Sequence, residues 1–235
     1  MTPRKSARTS DGHEGVLVEA VGDDALVLHV GNRIDAATNA SVHALCELIR
    51  TRHPAWLRDL VPSYSSVGVF FDSRLIDASA ADAWLRTQLA SVPAKTTLAP
   101  VEARTVEIPV AYGGDAGPDL EDAAAELGIT PAQLVQRHSA GDYTVAMIGF
   151  APGFPYLLGL DPALALPRLA TPRTSVPAGS VGIGGAQTAI YPRESPGGWR
   201  LIGRTPLVLF DPAREPPALL APGDHVRFVA VDGPA

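Results

Sequence analysis

From Asp142 to its C terminus the chain never sustains a helical period. Short apolar runs are instead cut every few residues by Gly or Pro. The densest case is "GFAPGFPYL" (149–157), which follows an apolar run that reads as a buried strand. Pro cannot donate to a sheet ladder and Gly weakens one, so that strand must stop there. Many short strands divided by turn residues predict a β barrel or sandwich for this half. The same interruptions break the longest apolar run, Val145 to Leu160, so it does not read as a transmembrane helix.

The first third reads differently. "GVLVEAVGDDALVLHVG" predicts two strands joined at Gly22-Asp23-Asp24, and "WLRDLVPSYSSVGVFFD" two more with Pro62 at the break. Ala37, Ala40, Ala44, Leu45, Leu48 and Ile49 recur at helical spacing between Asp35 and Arg52. A second helix is expected from Ser79, its N-cap, with Ala83, Leu85 and Leu89 apolar. The order ββαββα predicts a small ferredoxin-like α+β sandwich with its helices on one face of an antiparallel sheet. "SVPAKTTLAPVEA" (91–103) has no strong period and marks a seam. The expected division is a tail at 1–14, an α/β domain at 15–92, a linker at 93–103 and a β-barrel domain at 104–235. Within the last, "RTVEIPVAY" opens as a strand. Asp119 to Leu127 is a helix stopped by Gly128, and Thr130-Pro131-Ala132-Gln133 opens another that ends near His138.

Composition excludes several kinds of chemistry. The net charge of −6 over 235 residues leaves no electrostatic footprint for nucleic acid or an anionic membrane. The polar start "MTPRKSARTSDGHEG" has no apolar core of a secretory signal, and one cysteine, Cys46, cannot form an internal disulfide. A cytoplasmic protein is expected. Its two lysines, Lys5 and Lys95, are in neither a Gly-Lys-Ser/Thr context nor one suited to biotin or a Schiff base. None of His13, His29, His43, His53, His138 and His225 stands at metal-ligand spacing, so no metal is expected.

Three punctuated segments, "GFAPGFPYLLGL", "TPRTSVPAGSVGIGGAQTAIYP" and "SPGGWRLIGRTP", each mix turn residues with side chains able to meet a ligand. Gly179, Gly182, Gly184 and Gly185 do not fit G-x-G-x-x-G, and the strand-like "AQTAIYP" follows them. They are expected to let a neighbouring chain or a flat ligand approach the backbone. Ser180 echoes a nucleophile elbow but lacks its strand-to-helix setting. Arg168, Arg173, Arg200 and Arg204 are able to clamp a carboxylate or phosphate. Tyr191 and Trp199 suit a pocket wall or an interface. His138, at a helix end, reads either as a cation against the helix dipole or as a general acid or base.

Together "EIPVAYGGDAGPDLEDAAAELGIT", "LVQRHSAGDYTVAMIGFAPGFPYLLGL", "TPRTSVPAGSVGIGGAQTAIYP", "SPGGWRLIGRTPLVLFDP" and "LLAPGDHVRFV" resemble the family variously called the B subunit of 5-oxoprolinase, allophanate hydrolase subunit 1 or KipI-type inhibitor. The resemblance extends over Gly15 to Val229. It implies an α/β N-terminal domain, a cyclophilin-like barrel, and one member of an ATP-dependent 5-oxoprolinase complex that is inactive alone. Implied partners are a cyclophilin-like C subunit (also called subunit 2) and a third, LamB/YcsF-type subunit. No cofactor is expected on this chain; ATP with Mg is used by the assembled complex. Alternatives are a carboxyltransferase-like subunit of a biotin-dependent urea or amide enzyme, or a histidine-kinase inhibitor. On this resemblance "GFAPGFPYL" is expected to line a cleft shared with the partner. Phe150, Phe154 and Tyr156 form its wall, with Pro152 and Pro155 fixing the shape and Gly153 allowing close approach. Tyr191 and Trp199 complete the cleft; Arg173, Gln187 and Arg204 are its polar contacts, and His138 is the candidate for proton transfer.

Overall fold

The computed structural model describes residues 16–90 and 104–231. The tail expected at 1–14 and the linker expected at 93–103 lie outside the described residues. In the first part β1 (Leu17–Ala20) and β2 (Ala25–His29) form a hairpin that turns through Gly22 at φ +67. Helix α1 (Ala36–Arg52), β3 (Leu57–Pro62), β4 (Ser66–Phe71) and α2 (Ala78–Ala90) follow, in the expected order. The sheet order is β1-β2-β4-β3, antiparallel throughout. Leu26, Leu28, Val67, Val69 and Phe71 are buried on one sheet face. Against them pack Val42, Leu45, Cys46 and Ile49 of α1, at helical spacing, with Ala81 and Leu85 of α2. Asp35 caps α1, its carboxylate accepting from Thr38 N–H at 2.8 Å. The cap of α2 is Asp77 rather than Ser79: its carboxylate accepts from Ala80 N–H at 2.8 Å, so the helix is capped two residues earlier than expected.

The second part is a closed seven-stranded barrel. Its strands are β5 (Thr105–Tyr112), β6 (Tyr143–Ile148), β7 (Pro155–Leu158), β9 (Ser180–Gly184), β10 (Gln187–Ile190), β12 (Arg200–Arg204) and β13 (His225–Ala230). They run around the barrel in the order β10-β7-β6-β13-β5-β12-β9. Only β13 and β5 pair in parallel. Inward residues alternate with outward ones, so Val145, Leu157, Val181, Ile183, Ile190 and Ile202 meet inside. Helices α3 (Leu120–Leu127) and α4 (Pro131–Ser139) add Leu120, Ala123, Ala124 and Leu134 to that core. Gly128 ends α3 at φ +67, and Thr130 and Gln133 form the expected capping box of α4. A ribbon of β8 (Arg173–Val176) and β11 (Ser195–Gly197) lies apart from the barrel strands.

A buried amide hydrogen-bonds across the junction of the two parts. Asn39 of α1 donates from Nδ2 to the Ser63 carbonyl at 3.1 Å and to the Ala146 carbonyl of β6 at 3.3 Å. The β6–β7 register shifts between Val145 and Met147, a bulge at Ala146, whose carbonyl Asn39 reaches. His43 Nε2 and Asn39 Oδ1 lie 3.0 Å apart, which orients the amide. Beside this bond the rings of Tyr64 and Tyr156 meet edge to face at 6.0 Å.

Candidate functional site

The "GFAPGFPYL" stretch is the tip of the β6–β7 hairpin. Gly149 N–H donates to the Phe154 carbonyl at 3.1 Å, and Phe154 N–H to the Ala151 carbonyl at 3.0 Å. Ala151-Pro152-Gly153-Phe154 has Pro second and a positive-φ Gly third (φ +77), as a type II turn requires. A Cβ on Gly153 would lie 2.7 Å from Phe210 Cβ, so what approaches this glycine closely is the chain's own 209–210 segment. Before the turn, Ala151 N–H donates to the Gly149 carbonyl at 2.7 Å around Phe150, whose φ is +65. This is a γ-turn in a region a bulky residue rarely occupies. It leaves Phe150 63% exposed. Pro152 lines a hollow of about 220 Å³ with Pro192, Arg193 and Phe210.

Behind the tip, four expected cleft residues form one aromatic cluster on the outer barrel wall. Phe154 touches the rings of Tyr156, Tyr191 and Trp199 at 4.9, 5.2 and 6.0 Å, and Phe150 at 5.2 Å. Phe154, Tyr191 and Trp199 are buried, whereas Tyr156 is partly covered. Two glycines of "GSVGIGG" find a close neighbour here, whereas Gly179 lies against the Thr205 carbonyl and Gly185 has nothing within 4 Å. A Cβ on Gly184 would lie 2.6 Å from the Trp199 ring, and one on Gly182 would be 3.2 Å from Trp199 Cβ. Close approach was expected; the approaching group is an indole of the same chain.

The four arginines separate clearly. Arg200 holds Glu126 at 2.7 Å. Arg173 holds buried Asp119 at 2.6 Å, and the other oxygen of that carboxylate accepts from Leu201 N–H at 2.6 Å. Arg173 therefore braces β8, α3 and β12 through Nη2, while its Nη1 is buried without a partner. Replacing Asp119 by Ala is expected to cost about 1–3 kcal/mol, since it strands a half-buried guanidinium and a buried N–H; a chemical denaturation midpoint measures it. Arg204 reaches the Asp115 carbonyl only at 3.5 Å, and its Nε is buried without a partner.

Arg168 alone of the four has no protein oxygen among the described residues. Its guanidinium carbon lies 5.7 Å from the centre of the Trp199 ring, a cation–π contact. Arg168 and Gln187 both line a groove of about 410 Å³ whose other walls include Ile34 of the first part, Leu158 and Gly185. The aromatic cluster thus connects an exposed hairpin tip with a groove at the junction of the two parts. Ile34 and Tyr64 carried no signal in the sequence, because only the folded junction brings them to the barrel.

His138 does not join this cluster. It is fully buried inside the barrel, stacked on Phe228 at 4.6 Å. Thr188 Oγ1 donates to the Gly182 carbonyl at 3.0 Å, so it accepts from His138 Nε2–H, also at 3.0 Å. Tyr112 then donates its hydroxyl to Nδ1 at 2.8 Å. Burial pushes the imidazole down to about 3, so it is neutral, and the cationic helix-end reading is corrected. With no exposed atom and both nitrogens engaged, His138 stands where an outside substrate does not reach; proton transfer at the cleft is not its place.

The family described as carboxyltransferase domain, subdomain C and D, matches residues 16–220. The B subunit of 5-oxoprolinase from Bacillus subtilis (strain 168) is 40% identical over 226 residues, 91% of this chain and 92% of that protein. The corresponding B subunit from Escherichia coli O157:H7 is 53% identical over 128 residues, 54% of this chain and 59% of that protein. Among solved structures, TTHA0988 superimposes with a TM-score of 0.77 at 37% identity, covering 90% of this chain. This chain spans only 41% of TTHA0988, where such a unit is joined to further protein.

Proposed function

Because this chain belongs to the carboxyltransferase-domain family, subdomains C and D, and its relatives are named as the B subunit of 5-oxoprolinase, we propose that it is one member of an ATP-dependent 5-oxoprolinase complex. That complex opens 5-oxoproline to glutamate. The observation that carries the reading is the 40% identity to the Bacillus subtilis protein, which spans nearly the whole of both chains. The partners in this reading are the cyclophilin-like C subunit and a LamB/YcsF-type third subunit, and the chain is inactive alone. In this reading the assembled complex uses ATP with Mg, and this chain alone binds no cofactor; neither of its lysines has a Walker context. The exposed Phe150 beside the Pro152–Phe210 hollow supports a shared cleft at the hairpin tip: strain at a bulky exposed residue is retained where a function uses it. The barrel fits a cyclophilin-like description. The N-terminal sheet fits a ferredoxin-like one, with β2-α1-β3 as a split crossover around β4. No described helix is long and apolar enough to cross a membrane; the cytoplasm is the location this oxoprolinase reading proposes.

The test is ADP release on adding 5-oxoproline to the reconstituted complex, with and without this chain. Release that needs this chain is expected; equal release without it rejects the proposal. The name of the matching family favours a second reading, a carboxyltransferase-like subunit acting on urea or another amide. That reading predicts turnover that needs a biotinylated carrier and ignores 5-oxoproline.

A further inference from the structure

We infer that the groove holding Arg168 and Gln187 is the subsite for a lactam carboxylate, 5-oxoproline, with Arg168 binding its carboxylate and Gln187 its ring amide. The inference rests on the oxoprolinase reading and adds where in this chain the substrate sits.

The groove, about 410 Å³, is in the size range of small-molecule sites and is walled by both parts of the chain. Arg168 enters it as a cation without an anion. Arg173 and Arg200, from the same punctuated segments, hold carboxylates, whereas exposed Arg168, like several other exposed arginines, makes no ion pair or hydrogen bond among the described residues. It is nevertheless placed, because its partner Trp199 is buried in the aromatic cluster and lies against Gly184. A guanidinium held over an indole keeps its edge free, and that edge is a planar fork matched to a carboxylate. Gln187 is half-buried at the start of β10, and its side-chain amide likewise has no protein partner among the described residues. Its donor and acceptor are therefore both open to a ligand in the groove. At the same seam the Tyr64 hydroxyl is buried and unpaired, next to Tyr156 and within reach of the Arg168 charge.

The two free groups select a chemistry together. A lactam is locked cis, so its C=O and N–H lie along one edge. A carboxamide offers its own donor and acceptor side by side and closes two parallel hydrogen bonds on that edge. Open-chain glutamate lacks the edge, and 2-pyrrolidinone lacks the carboxylate. A lactam acid satisfies both Arg168 and Gln187, and its ring-opened product glutamate does not.

The experiment uses the reconstituted complex with wild-type chain, Arg168→Gln and Gln187→Leu, following 5-oxoproline-dependent ADP release. Both side chains stand off the core, so both variants are expected to keep the wild-type circular dichroism and melting profile. Each is expected to raise the KM for 5-oxoproline about 10- to 100-fold, the range for losing a charged or paired hydrogen bond. Inhibition by 2-pyrrolidinone should weaken in Gln187→Leu and stay unchanged in Arg168→Gln, because that probe has no carboxylate. A wild-type complex that turns over while both variants keep its KM places the substrate elsewhere and overturns the subsite alone. A wild-type complex with no 5-oxoproline-dependent release overturns the parent reading, and the subsite with it.

Discussion

Phe154→Ala is expected to lower stability by about 3–5 kcal/mol, the range for emptying a buried aromatic site. Phe150→Ala, four residues earlier in the same hairpin, is expected to cost almost nothing. Phe154 is 2% exposed and carries ring contacts to Phe150, Tyr156, Tyr191 and Trp199. Each edge-on pair adds to the area it buries, and removing the ring leaves a void between β7, β10 and the β8–β11 ribbon. For a chain of this size the loss corresponds to roughly 10 °C in melting temperature. Loss of activity in that variant would therefore report a collapsed cluster, not a missing ligand contact. Phe150 is the opposite case: its ring is mostly in water and its backbone is held at φ +65. Phe150→Gly is expected to be about 1 kcal/mol more stable than Phe150→Ala, since only glycine takes that φ freely. Both Phe150 variants are expected to weaken capture of the C subunit proposed as the partner. Thermal melts and a pull-down of that partner separate the outcomes; a stable Phe154→Ala, or Phe150 variants that bind the partner normally, would contradict this assignment.

The contrast between these two residues shows where sequence reasoning reached its limit. The strand-turn alternation after Asp142, the capping box at Thr130 and the stop at Gly128 are local signals, and each appears as read. The cluster of Phe154, Tyr156, Tyr191 and Trp199 was also legible as a group, because three Gly- and Pro-rich segments each supplied an aromatic. What the sequence could not separate was which side of each ring faces water. Phe150 and Phe154 have similar neighbours in the chain, and only the γ-turn before Pro152 sends one out and the other in. The arginines pose the same problem. Arg168, Arg173, Arg200 and Arg204 look alike until Asp119 and Glu126, some fifty residues or more away in sequence, are seen to neutralise two of them. Ile34 and Asn39 gave no hint of their role because a contact across the junction leaves no local pattern. Gly182 and Gly184 announced a close approach, but not that Trp199 makes it.

His138 converts its position inside the barrel into an acid sensitivity of the fold. The imidazole titrates at its ordinary 6.5 when unfolded and near 3 when folded. Between those values the unfolded chain holds a proton that the folded chain does not, so acid favours unfolding. The stability present above pH 6.5 is then lost as the pH falls, at up to about 1.4 kcal/mol per pH unit. By pH 3.5 the loss from this one group approaches about 4 kcal/mol. Among the described residues no carboxylate contacts the ring to offset it: Tyr112, Tyr143, Thr188 and Phe228 are its neighbours. A protonated ring would also turn Nδ1 from acceptor to donor and force the Tyr112 hydroxyl to reverse. Partly buried His43, whose value is also lowered by burial, adds a weaker dependence of the same sign. The decisive comparison is the slope of unfolding free energy against pH from 7 down to 5, above most carboxylate titrations, in wild type and His138→Gln. The variant is expected to be less stable at pH 7, because the Tyr112–Thr188 link is broken, yet flatter in pH. Equal slopes would mean that His138 carries a proton in the folded barrel, and the neutral assignment of its two hydrogen bonds would fall with it.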